Sequence, residues 1–119
     1  MKVTRVYSDS EGETHFEDVA ISLQDAGQIG QLSDRVPVAS LLFRENEPQY
    51  DYDWHNAPAR QYIVLLDGRI ELEVSDGESR IFAGGDILLM EDITGKGHRT
   101  RHLEHRARRS LFIELDEHE

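Results

Sequence analysis

The chain has no cysteine among its 119 residues. Disulfides, thiolate catalysis, iron–sulfur clusters and sulfur-built zinc sites are therefore excluded. No apolar run approaches the roughly 18 residues of a membrane span. Met1-Lys2-Val3-Thr4-Arg5 leads into polar sequence rather than into the apolar core of a signal peptide. A soluble cytoplasmic protein with no membrane partner is the expectation. Helical periodicity is missing too: no segment sustains it for ten residues, and Gln24 to Leu32, interrupted by Gly27 and Gly30, reads as loop. There are no repeats and no low-complexity tracts. Positive charge is scarce, with 13 Lys and Arg against 24 Asp and Glu and a net charge of -11, which argues against nucleic acid as a partner.

What is present is one domain's worth of short apolar blocks. The length suits a single domain of about 100–150 residues, spanning 1–119 with a barrel core over about 36–115. Gln61 to Leu66 is β-branched and aromatic and stops at Asp67-Gly68. Ile70-Glu71-Leu72-Glu73-Val74 alternates with period two, which directs Ile70, Leu72 and Val74 inward and both glutamates to water. Asp76-Gly77 turns the chain into Arg80-Ile81-Phe82, and two Asp-Gly signals nine residues apart predict a three-stranded meander closed by type I′ turns. Ile87 to Met90 and Leu111 to Leu115 read as further strands, and Asp116 to Glu119 as a frayed acidic end. In the N-terminal half Lys2 to Tyr7, His15 to Leu23 and Val38 to Phe43 are strand candidates. Many short strands punctuated by glycine define an all-β sandwich or barrel.

The charge is uneven. Lys96, Arg99, Arg101, Arg106, Arg108 and Arg109 stand within fourteen positions against the single acid Glu104, so this stretch carries +5 and the rest of the chain -16. Two readings stay open: a solvated face neutralising acidic neighbours, or an anion-attracting edge of a pocket.

Between Asp53 and Arg101 the residues carry a resemblance. Trp54-His55-Asn56-Ala57-Pro58 with Gln61 and Gly68, then Gly84-Gly85-Asp86 with Gly95-Lys96-Gly97-His98, is similar to the paired motifs of the cupin superfamily. Its members have a first motif with a His-x-His pair, a glutamate and a glycine, and a second with a Pro-Gly-Asp-type turn, a histidine and an asparagine. The resemblance implies a double-stranded β-helix, the jelly-roll barrel, in which three imidazoles and one carboxylate hold a divalent metal. Here Gly68 anchors the first motif, Gln61 stands for the glutamate, Ala57 for the second histidine and His55 for the first. In the second motif Glu91 replaces the proline, the following loop is about two residues longer, His98 is the motif histidine and His102 stands at the asparagine.

The implied metal ligands are His55, Gln61 and His98, for an ion such as iron, manganese, nickel or zinc. Glu45, Glu47, Asp51 or Asp53 are candidates to supply a missing carboxylate. His98 and His102, four residues apart on one strand face, lie about 13 Å apart and do not share an ion on a straight strand. Trp54, Tyr50, Tyr52 and Tyr62 cluster in sequence around the first motif. Trp54, Tyr62, Lys96, Thr100 and His102 are the ligand-binding candidates, with Lys96 between two glycines at the barrel mouth. The expected function is binding of a small polar or anionic metabolite in the barrel, with metal-assisted chemistry. The alternative is a non-enzymatic binding or sensing domain with a degenerate, metal-free site. The third expectation is a homodimer formed through an outer edge carrying Val3, Val6 and Tyr7.

Overall fold

A computed structural model of the chain describes residues 1–48 and 51–117. Tyr50, one of the aromatic candidates, and the last two residues of the acidic end lie outside the described residues. The strands, in chain order, are β1 (Lys2–Ser8), β2 (Thr14–Ala20), β3 (Gln24–Asp25), β4 (Gln31–Leu32), β5 (Val38–Asn46), β6 (Tyr52–His55), β7 (Gln61–Leu65), β8 (Arg69–Val74), β9 (Ser79–Ala83), β10 (Ile87–Met90), β11 (His98–His102) and β12 (Arg108–Leu115). Six form one sheet in the order β2-β1-β10-β7-β12-β5, four form a second in the order β6-β11-β8-β9, and β3 with β4 makes a small ribbon.

The alternation in β8 works as the period-two pattern requires. Ile70, Leu72 and Val74 are buried, with Val74 fully inaccessible, and they pack with Val6, Phe16, Leu65, Phe82, Leu88 and Met90. Burying each such side chain stabilises the fold by roughly 1.5–3 kcal/mol. Val6 and Phe16 come from β1 and β2, so the core reaches back beyond residue 36. The six-stranded sheet gains them because β1 runs parallel to β10, with Thr4 opposite Leu88 and Val6 opposite Met90.

Several expectations are corrected. β7 and β8 do not pair: β7 lies between β10 and β12, while β8 lies between β11 and β9. Asp67-Gly68 is therefore where the chain crosses from one sheet to the other, not the first turn of a meander. The second turn is a true hairpin, with Glu73 opposite Ser79. It is not type I′, because Asp76 keeps a negative φ and only Gly77, at +99°, is left-handed. A three-residue loop ending on a left-handed glycine resolves the same twist problem. β2 ends at Ala20, short of Leu23, and the loop expected over 24–32 contains the β3–β4 ribbon around a 3-10 turn at Gly27–Ile29. Asp116 is tied down rather than frayed, its N–H donating to the Pro37 carbonyl at 3.2 Å. β1 is no edge, and Val3 and Val6 are buried. The apolar surface at a sheet edge is instead on β5, where Leu41, Leu42 and Phe43 are exposed. The chain has no helix, among the described residues, long and apolar enough to cross a membrane.

The turns at one end are held by charge. His15 lies between two aspartates, Nε2 2.7 Å from Asp9 Oδ2 and Nδ1 2.8 Å from Asp76 Oδ2. A ring that donates from both nitrogens is an imidazolium, and these bonds, Asp9's first, raise the His15 pKa above its ordinary 6.5. The stability it adds is full below that ordinary value and disappears as pH rises through the raised native one. The urea midpoint of the wild type should therefore exceed that of His15→Gln by a margin that shrinks with pH from about 5.5 upward. A margin independent of pH would refute this role.

Candidate functional site

Between the two sheets lies a cavity of about 370 Å³, at the small end of the range for ligand pockets. Its walls follow from strand alternation except on β6, where an irregularity in the pairing with β11 brings Tyr52 and His55, three residues apart, to the same side. Gln61, Ile63 and Leu65 face it from β7, and Ile70 and Leu72 from β8. His98 and Thr100 face it from β11, His55 and Tyr52 from β6, Arg108 and Phe112 from β12, and Arg44 from β5. The lining is mainly apolar, and its polar groups gather towards two ends.

One end is built on the pairing of β6 with β11, where His55 lies directly opposite His98. Their ring centroids are 4.4 Å apart, and Tyr52 stacks against His55 at 4.9 Å. His55 Nδ1–H donates to the Asp53 carbonyl at 2.7 Å. His98 Nδ1–H donates to Asp92 Oδ2 at 2.5 Å. Both partners only accept, so each ring carries a hydrogen on Nδ1, and in the neutral ring Nε2 is a lone pair with no donor among the described residues. The loop after β6 returns to Gln61 at the start of β7, beside Met90 at the end of β10. Gln61 is buried and its Oε1 meets no donor among the described residues. Three acceptors thus gather at this end. The three residues named as metal ligands, His55, Gln61 and His98, all line the same cavity.

Arginine lies at and towards the other end. Four residues along β11 from His98, His102 stands opposite Ile70. Its Nδ1–H donates to the Pro48 carbonyl at 2.8 Å, and its Nε2 accepts from Arg108 Nε at 2.9 Å. Arg108 is only 6% exposed. Burial first, and then the charge of Arg44, lower its pKa to about 10, which leaves it charged at neutral pH. Arg44, from the β5 residue opposite Ser110, hydrogen-bonds the Tyr52 hydroxyl and lies 5.1 Å above the Phe112 ring.

The other candidates sit elsewhere. Thr100 lines the cavity wall, whereas His102 reaches it only through Arg108. Tyr62 alternates to the opposite face of β7 from Gln61 and Ile63. Trp54 is exposed beneath the Arg99 guanidinium at 5.2 Å. Lys96 points away to Glu13 at 2.8 Å, on the side of the β1–β2 turn. Of the carboxylates ahead of the motif, Asp51 Oδ1 accepts from the His102 N–H and Asp53 Oδ1 from the Trp54 N–H, and none of the four lines the cavity.

The residues missed in the sequence are Asp92, Arg44 and Arg108. Asp92 is fully buried and is the carboxylate that orients His98. Its signal is an acid six residues before the motif histidine, inside the lengthened loop. Arg108 was counted in the basic run without being distinguished from it. The other five members each face a carboxylate: Lys96 with Glu13, Arg99 with Glu73, Arg101 with Glu71, Arg106 with Glu104 and Arg109 with Asp67. Surface neutralisation accounts for those five. Arg108 has no carboxylate partner among the described residues.

The donor set falls short of a divalent metal. Two imidazoles and one neutral amide are available, no Asp or Glu of the described residues lines the cavity, and two guanidiniums stand in the same wall. No group of three or more His, Asp or Glu able to hold an ion is assembled among the described residues. A dication would meet positive charge without a compensating carboxylate.

Two facing sheets wound around a polar-ended cavity define a jelly roll. No protein-family model and no curated protein matches the sequence. Among solved structures, the cupin domain of Cnp3 from Schizosaccharomyces pombe is similar with a TM-score of 0.53 and 13% identity, over 97% of this chain and 84% of that one. A conserved protein of unknown function from Streptococcus pyogenes is similar with a TM-score of 0.52 and 19% identity, over 74% of this chain and 72% of that one. A putative ethanolamine utilization protein from Salmonella typhimurium aligns at a TM-score of 0.43 and 12% identity, over 97% of this chain and 95% of that one. At these identities the likeness is one of fold. The protein has the cupin fold.

Proposed function

We propose that the barrel binds a small polar or anionic molecule without the help of a metal, as a binding or sensing cupin. The observation that supports this reading is the lining of the 370 Å³ cavity: an apolar wall with imidazole, amide and guanidinium groups and, among the described residues, no carboxylate. A pocket of that composition recognises a ligand by hydrogen bonds and by opposite charge. The buried Gln61 Oε1 has no donor among the described residues, and an unsatisfied buried acceptor costs about 1–3 kcal/mol that a bound ligand or water recovers.

The test uses protein purified without a His-tag. Metal analysis should find less than one equivalent of any transition metal. Ligands found in a metabolite screen should bind His98→Ala at least tenfold more weakly than the wild type. Unchanged binding by His98→Ala would refute the site. A stoichiometric metal, or His98-dependent turnover of a screened metabolite, would replace the sensing reading with metal-assisted or enzymatic chemistry.

A further inference from the structure

The two polar ends of the cavity differ in kind, and this narrows the ligand beyond the reading above, on which the inference rests. At the His98 end, with both rings neutral, every group accepts: His55 Nε2, His98 Nε2 and Gln61 Oε1. At the far end Arg108 is a buried cation whose side chain, among the described residues, hydrogen-bonds only to the imidazole nitrogen His102 Nε2. Arg44, also without a carboxylate partner among the described residues, adds a second positive charge nearer the middle of the wall. The register of β11 separates His98 from His102 by about 13 Å along the strand. Between them run Leu65, Ile70, Leu72 and Leu88. Burying a charge is costly unless it is paired; Asp67 acts on Arg108 from a distance, its own carboxylate bonded to Arg109, and no carboxylate of the described residues is bonded to Arg108.

We infer that the ligand is an aliphatic oxyanion with a hydrogen-bond donor at its far end: a carboxylate or phosphate head against Arg108 and Arg44, and a hydroxyl or amine against His55, His98 and Gln61. The apolar walls fit the methylene chain between. The guanidinium fork matches the oxyanion in a way the five exposed basic side chains, already paired, do not.

Calorimetric titration with 6-hydroxyhexanoate, hexanoate, 1,6-hexanediol and 6-hydroxyhexyl phosphate tests this. 6-Hydroxyhexanoate should bind at least tenfold more tightly than the diol and severalfold more tightly than hexanoate. The phosphate arm tells which oxyanion the fork prefers. Arg108→Met should remove the advantage over the diol and should leave the ligand-free melting temperature equal or higher, since it replaces a buried charge bonded to no described carboxylate with an apolar side chain. Should that variant fail to fold, Arg44→Met carries the same comparison. Equal binding of the diol and the hydroxy acid by the wild type would overturn the oxyanion end and leave the binding function standing. Equal binding of hexanoate and 6-hydroxyhexanoate would overturn the donor end. If none of the four binds at millimolar concentration, this inference falls, and the screen on His98→Ala separately decides whether the binding function falls with it.

Discussion

Gly97→Ala is expected to lower the melting temperature by about 10 °C or more and to abolish ligand binding. Gly97 is left-handed, with φ +77°, and a Cβ built on it would lie 2.3 Å from the His55 carbonyl oxygen and 2.6 Å from its carbon. Those atoms are backbone and are held by the pairing of β6 with β11, so relief requires the strand carrying His55 to move away from the one carrying His98. The left-handed backbone costs about 1–2 kcal/mol for a residue with a Cβ, and the forced displacement about 1–3 kcal/mol more. Gly27→Ala separates the two. Gly27 is equally left-handed at +72°, but its Cβ would meet nothing within 4 Å, so it bears the conformational cost alone. Thermal unfolding of both variants is the measurement. A loss at Gly97 no greater than that at Gly27 would show that the close approach to His55 is not rigid.

That contact also shows what was legible beforehand. Gly95-Lys96-Gly97-His98 marked a lengthened, flexible loop ahead of a motif histidine, and His55, Gln61 and His98 were named together because the motif spacing put them together. Period-two patterning placed Ile70, Leu72 and Val74 in the core and His98, Thr100 and His102 on one face. It gave no means of saying which strand lies beside which. Asp67-Gly68 carries the chemistry of a reversal, and a reversal between strands of one sheet looks the same in sequence as a crossing between two. Arg108 was hidden for the same reason. Its burial comes from sitting on β12 opposite Asn46 of β5 and against His102 of β11, contacts made across sixty residues in one case and between the two sheets in the other. The basic run therefore read as one block, although alternation turns Arg99 and Arg101 out to Glu73 and Glu71 while Arg108 turns in. Asp92 left only a faint signal, an acid beside Glu91 in the lengthened loop, and only the fold shows it reaching His98.

Asp92 sets the polarity of the acceptor end, and its substitution is the second large effect. Its carboxylate is fully buried, and its Oδ2 takes the His98 Nδ1 proton at 2.5 Å. Asp92→Ala leaves that N–H buried with no acceptor and should cost about 2–4 kcal/mol of stability, a missing partner plus a small void. Asp92→Asn keeps the volume and is the sharper test. A carboxylate can only accept, which keeps the proton on Nδ1 and the lone pair on Nε2. A carboxamide can turn its NH₂ towards Nδ1 and so favour the other tautomer, in which Nε2 carries the hydrogen and meets the ligand's donor with another donor. Asp92→Asn should therefore fold with a loss nearer 1 kcal/mol, the worth of one ordinary hydrogen bond, yet weaken binding of 6-hydroxyhexanoate tenfold or more, about 1.4 kcal/mol. Hexanoate, which brings no donor to this end, should be affected far less. Nitrogen-15 shifts of the His98 ring read the tautomer directly in both proteins. An Nδ1–H tautomer retained in Asp92→Asn together with unchanged discrimination between the two acids would mean that Asp92 holds the loop in place without setting what His98 presents to the cavity.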